Sequence, residues 1–362
     1  MKSFKTYYLL LLIVIVLVSS FSFQIGNPKK IKSLSGKKIN VEDIDKFLKT
    51  QMDSFSIPGL SIAIINDGRI TYHRNLGVTN FNTKEKVSAE TLFDAGSISK
   101  TTFTYLVLRM VDQGILNLDQ PLYTYLPYSD IAHDDRYKLI TARMILCHTS
   151  GFPNWRFLNA DRKLDIKFTP GTQHLYSGEG FEYLANVIAH LKNIKKNDLQ
   201  HLFENEVAKP LGMKYAFYTW NDYVKKHQAT GHIDGKPAAG WGINANRPDF
   251  AASYSLQTEA LSYSSFIIAL MNGKGLSKTV YNEMLKGQVR IPSSEDGSSY
   301  CFGIKIKPTK FGNVYMHDGY NQNFYSAYLF SKSKKIGYVF FTNCNNGLDF
   351  NEKLENFLTN GR

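Results

Sequence analysis

Ser97 and Lys100 stand three residues apart where an apolar run begins, in the stretch FDAGSISKTTFTYLVLRMVDQGIL of residues 93–116. A serine hydroxyl alone is a poor nucleophile at neutral pH, so chemistry on it needs a nearby base and donors for the developing oxyanion. At a spacing of three on a helix the two side chains share a face and reach one another. A lysine in a desolvated cleft gives up its proton more easily and can be that base. The pair also reads as an ordinary helix start with Ser97 in the capping position, so by itself it decides little. After Lys100 come Leu106, Val107, Leu108, Met110 and Val111, apolar on nearly every side. Such a helix is expected to be central, with its start, and the serine, inside the molecule.

The elements that must position this pair are legible at both ends of the chain. IPGLSIAIINDGRITYHRNLG holds two β-rich runs, residues 60–65 and 70–74, joined by Asp67-Gly68, a pair that accepts the positive φ angles of a tight hairpin. Near the other end FYSAYLF, SKSKK and IGYVFFTNC predict a second ribbon, followed by a helix over 349–358. Between them, over about 101–272, TYLVLRMVDQGIL, FEYLANVIAHL, LQHLFENEVAKPLGM and ALSYSSFIIALMNG have helical length and spacing. The fold class expected is α+β, with the terminal ribbons in one mainly antiparallel sheet and the helical insert as the facing wall of a cleft.

Several segments in order, IPGLSIAIINDGRI, TLFDAGSISKTTFT, ITARMILCHTSGFP, TPGTQHLYSGEGFEYL, VAKPLGM and MHDGYNQNF, resemble the serine β-lactamase and penicillin-binding protein superfamily, in its branch with class C β-lactamases, D-Ala-D-Ala carboxypeptidases and related esterases. The resemblance covers about residues 41–358. It implies the β-lactamase/transpeptidase-like fold, with flanking helices and a helical subdomain, and a serine hydrolase that forms an acyl-enzyme on Ser97 with Lys100 as proton-transfer partner. Tyr176 matches the tyrosine of the family's Tyr-x-Asn motif, general base toward the serine and acid toward the leaving group; neighbouring ammonium or imidazolium groups would lower its pKa. His317-Asp318-Gly319 matches the third motif. There His317 is expected to offer a donor or a positive charge, Gly319 close backbone approach, and the amides of Tyr320 and Ser97 the oxyanion hole.

Gly178 departs from the pattern, standing where the motif has asparagine, so no amide is expected there to orient a substrate carbonyl or hold Lys100. Glu179 reads as an acidic residue of a helix first turn. His148 reads as structural, and Trp155, Trp241 and Tyr254 as loop aromatics that border the cleft or pack the core. Activity on an ester, amide or D-amino-acid peptide with weak β-lactam turnover is the expected outcome. The alternative is a catalytically silent receptor or scaffold binding cell-wall peptides. An α/β-hydrolase is excluded by the lack of a G-x-S-x-G elbow.

Composition narrows the setting. With 362 residues, 43% hydrophobic and 20% charged, most of the chain should fold. Lys2 and Lys5 precede the apolar run 7–18, and Ser20 and Ser22 follow. This reads as a secretory signal over 1–22, or an anchor over 7–23, so the protein is expected to be exported, periplasmic or extracellular. Residues 23–40, basic and polar, read as a linker before a hydrolase domain over 41–358. Three cysteines, Cys147, Cys301 and Cys344, make no disulfide framework, and with no CxxC or HExxH pattern neither metal nor organic cofactor is expected. The net charge of +12 is spread along the chain. It predicts a solvated surface, with peripheral attraction to an anionic envelope rather than nucleic-acid binding. Oligomeric state leaves no sequence signal.

Overall fold

The computed structural model describes residues 28–238 and 249–361. Trp241 and the leader over 1–22 lie outside the described residues. The two terminal ribbons do share one sheet. Gly59–Asn66 pairs with Arg69–Gly77, and Ile336–Thr342 pairs with Gly59–Asn66 on its other side. The sheet continues through Tyr325–Ser331 and Val314–Tyr320 to the short strands Lys305–Lys307, Ser299–Tyr300 and Val289–Arg290, eight strands in all, each pair antiparallel. At the first hairpin Asp67 has φ +49° and Gly68 φ +70°, the pair of left-handed conformations that a two-residue turn of matching twist needs.

Alternation of side chains sorts the sheet's two faces. Leu60, Ile62 and Ile64 point to one side, where with Leu329, Tyr338 and Phe340 they pack on the helices Val41–Ser54 and Gly347–Asn360. Ala63 and Ile65 point to the other and join Phe341, Val339 and Phe330 under the helices Ser99–Asp112 and Ala260–Asn272. Gly59–Asn66 is buried along its whole length because both of its faces are covered, and a strand so placed reads as a near-continuous apolar run.

The helix Ser99–Asp112 is central as expected, with every residue from Ser99 to Leu108 buried. Its polar side chains survive burial because each finds a partner. Thr101 Oγ1 donates to the Gly303 carbonyl at 2.9 Å, Thr102 Oγ1 lies 2.7 Å from the Tyr218 hydroxyl, and Ser99 Oγ accepts from Leu256 N at 3.1 Å.

Part of the segment read as a linker is structured. Lys30–Lys32 and Lys38–Asn40 form a hairpin whose Ile31, Leu34 and Ile39 are buried beside the first helix. The run of lysines misleads because they occupy the exposed positions of two three-residue strands, alternating with one buried isoleucine in each.

Candidate active site

Ser97 sits in a single 3-10 turn, Gly96–Ile98, at the entrance to the central helix, and it caps nothing: no side-chain cap bond occurs at either helix start. The turn is strapped to the sheet. Asp94 Oδ1 accepts from Gly96 N at 2.8 Å and from Asn321 Nδ2 at 2.7 Å, while Ser326 Oγ donates to the Ala95 carbonyl at 2.7 Å. Burial pushes the Asp94 carboxyl up to about 7 despite these donors.

Two glycines let the turn and the strand touch. Gly96 has φ +51°, and a Cβ there would lie 2.9 Å from Tyr320 N. At Gly319 a Cβ would meet the Ala95 carbonyl oxygen at 2.1 Å and Ser97 N at 2.9 Å, so no other residue fits. The register pairs Tyr320 with Tyr325, and Asn321 N donates to the Phe324 carbonyl. Hydrogen-bonded and non-hydrogen-bonded pairs alternate in an antiparallel ladder, so the Tyr320 amide turns away from the partner strand, toward Ser97. The two backbone amides expected to form the oxyanion hole are thus neighbours.

Lys100 is fully buried. Its Nζ donates to Ser97 Oγ at 3.2 Å and to the Ser253 carbonyl at 2.9 Å, and lies 4.8 Å from the centre of the Tyr176 ring. Burial brings its pKa down to about 7, with Glu182 and Asp318 pulling the other way. The partner that a motif asparagine would have supplied is replaced. Ser253 holds Lys100 by its carbonyl and is itself held by Glu182, whose Oε1 accepts from Ser253 N at 3.0 Å and from Ser253 Oγ at 2.5 Å. Lys196 Nζ balances that carboxylate at 2.7 Å. Sequence reasoning missed both residues. The signal for Glu182 was a carboxylate inside an otherwise apolar helix; Ser253, distant along the chain, gave none.

Tyr176 precedes the helix Glu179–Leu191. Its Oη lies beside Ser97, whose hydroxyl favours the phenolate, yet the two make no well-formed hydrogen bond and Oη is buried without a partner. Desolvation raises its pKa well above the usual tyrosine value. The lowered pKa expected from cationic neighbours is not found: desolvation outweighs them, and burial pushes Lys100 and the two nearby imidazoles toward their neutral forms. His317 is brought down to about 4, and His148 well below its usual range. His148, read as structural, has φ +62° and its Nδ1 accepts from Ser177 N at 3.1 Å, which ties it to the turn that carries Tyr176.

His317 offers neither the positive charge nor the donor expected of it. Its Nδ1 donates to the Asp318 carbonyl at 2.7 Å, which leaves Nε2 as a bare acceptor, buried and unpartnered. Glu179 turns to Arg156, bridging it through both oxygens at 2.8 and 3.0 Å, away from the chemistry.

At Gly178 there is no room for the motif's side chain. A Cβ would lie 2.8 Å from the Trp155 ring and 3.0 Å from the Asn154 carbonyl oxygen. Gly178 N instead donates to Asn154 Oδ1 at 3.0 Å. Ser97, Tyr176, His317 and Tyr320 line one cavity of about 350 Å³, together with Asn154, Trp155, Tyr254, Tyr300, Asp318 and Asn321. Among these described lining residues Asp318 is the one carboxylate, and there is no lysine or arginine. No group of three or more metal-ligating side chains occurs among the described residues.

The arrangement is a serine with a desolvated amine and a phenol beside it and two neighbouring backbone amides; comparison with known proteins bears on the family and the fold that carry it. Protein flp of Staphylococcus aureus (strain COL) is 23% identical over 321 residues, 84% of this chain; the chain spans 63% of that relative's length. A beta-lactamase of Pseudomonas fluorescens is 26% identical over 75% of this chain and 77% of its own. The solved D-alanine carboxypeptidase AmpC of Burkholderia cenocepacia superposes with a TM-score of 0.75 at 20% identity, over 89% of this chain and all of that one. The sequence pattern of the Beta-lactamase family matches residues 44–358, and the chain belongs to that family.

Proposed function

We propose that the protein is a serine hydrolase that transfers an acyl group from an ester or amide to Ser97 and then to water. The observation that carries this reading is Lys100: a buried amine 3.2 Å from Ser97 Oγ whose pKa is brought down to about 7. Neutral Lys100 takes the proton from Ser97 as Oγ attacks the carbonyl carbon, and the amides of Ser97 and Tyr320 receive the oxyanion. Tyr176, a phenol throughout, hands its proton to the leaving group and regains one from Lys100. In the second half water repeats the attack on the acyl-enzyme, its proton passing back by the same route.

The cavity favours substrates whose leaving side is neutral. With His317 pushed toward its neutral form and no lysine or arginine among the described lining residues, a carboxylate is poorly received there, which argues for an esterase ahead of a D-Ala-D-Ala carboxypeptidase and for a weak β-lactamase. The leader-like residues 1–22 support placing this activity outside the cytoplasm.

The test is kcat/KM of residues 28–362 for p-nitrophenyl butyrate beside nitrocefin and an acylated D-Ala-D-Ala peptide. The ester should be turned over at least about 10-fold more efficiently than either anionic substrate. Nitrocefin turnover at or above the ester rate would refute the preference.

A further inference from the structure

Around the proton donor to the leaving group the cavity presents acceptors. Tyr176 has the His317 ring at 6.1 Å and the Tyr300 ring at 6.3 Å between centres, so these two groups flank the departing fragment. His317 Nε2 is an acceptor without a partner, because a backbone carbonyl only accepts and Nδ1 must give its proton to that of Asp318. Asp318 itself is exposed, and it is the one carboxylate among the described lining residues, which include no lysine or arginine. Burial first and the Asp318 carboxylate second raise the pKa of the Tyr300 hydroxyl, which puts that carboxylate within electrostatic reach of the same ring. Aromatic surface makes up much of the rest: Trp155, Tyr176, Tyr254, Tyr300 and Tyr320 all line the cavity of about 350 Å³, and Tyr320 is 49% exposed. Ring faces attract cations, and the Tyr176 ring already has Lys100 Nζ 4.8 Å from its centre.

An unmatched acceptor, a carboxylate and aromatic rings together suit one kind of group, a cation that carries an N–H. We propose that the leaving group of the substrate bears a protonated amine, so that the substrate class is an amino-alcohol ester or an amide of a diamine. The inference rests on the acyl-transfer reading of Ser97 and extends its ranking, neutral above anionic, to cationic above both. The acyl carbon bonds to Ser97 Oγ as its bond to the leaving oxygen or nitrogen breaks. Tyr176 supplies the proton which that atom needs, and the amine keeps its own.

Two isosteric esters test this, 2-(dimethylamino)ethyl butyrate and 3-methylbutyl butyrate, of which only the first is a cation at neutral pH. The measurement is the ratio of their kcat/KM values, divided by the ratio of their uncatalysed rates at the same pH, which removes the difference in leaving-group reactivity. In low salt the corrected ratio should be about 10 or more, and it should fall as sodium chloride screens the attraction. Asp318→Asn should bring it down toward unity, and Asp318→Lys, which reverses the charge, below unity. A wild-type ratio near unity while both esters still depend on Ser97, or a ratio that Asp318→Asn does not move, overturns the assignment and leaves acyl transfer standing. Turnover of both esters by Ser97→Ala would overturn both readings.

Discussion

At Gly178 the missing asparagine looked, from sequence, like a vacancy; in three dimensions the space is taken by the Trp155 ring and by Asn154, whose Oδ1 accepts from Gly178 N. The motif could be read residue by residue, but that Trp155 occupies the space and Asn154 offers its carboxamide depends on a loop folding back over a helix start, which no spacing encodes. Restoring the motif should therefore harm the protein. Gly178→Asn, whose Cβ would lie 2.8 Å from the Trp155 ring, should destabilise it by about 1–3 kcal/mol in a denaturant titration, and it should not raise activity. Glu182 supports Lys100 from behind, through Ser253. Its carboxylate raises the lysine's pKa, so Glu182→Gln should lower it and move the acid limb of the kcat/KM profile to lower pH, with the plateau reduced as Ser253 loosens. An unmoved limb would remove Glu182 from the proton-transfer account.

The elements were more legible than the site. Both terminal ribbons, the Asp67-Gly68 turn and the buried helix after Lys100 follow from apolar periodicity and turn chemistry, which are local. The short edge strands Val289–Arg290, Ser299–Tyr300 and Lys305–Lys307 were not legible, because two or three residues carry no period. Nor was the strap between the Ser97 turn and the sheet, made by Asp94, whose Oδ1 joins Gly96 to Asn321. This strap has a pH signature. Asp94 is raised from 3.8 to about 7 by burial, so the folded state binds its proton more tightly than the unfolded one. Its contribution to stability is fully present below the unfolded pKa and is lost as pH rises through about 7, where a buried charge must form. An asparagine in its place would keep the accepting oxygen without the charge. Asp94→Asn should raise Tm by about 3 °C or more at pH 8 and by much less near pH 4, measured by calorimetry.

On the scale of the whole molecule, one sheet separates two cores, and the half that carries no chemistry still holds the half that does. The hairpin over 30–40 belongs to that supporting core through Ile31, Leu34 and Ile39, although its lysines read as a tether. A variant lacking residues 1–40 should lose about 5 kcal/mol relative to one lacking 1–27, given about 1.5–3 kcal/mol for each buried aliphatic side chain. Equal stability of the two would return the segment to the status of a linker. The central claim, that Ser97 is acylated with neutral Lys100 as its base, concerns the seam between the two ends of the chain. It is tested most directly by the rate of fluorophosphonate labelling, followed by intact mass between about pH 5 and 9. One adduct on Ser97, forming at a rate that climbs through about pH 7 and then levels, is the predicted result. No adduct, or a rate flat across that range, would contradict it.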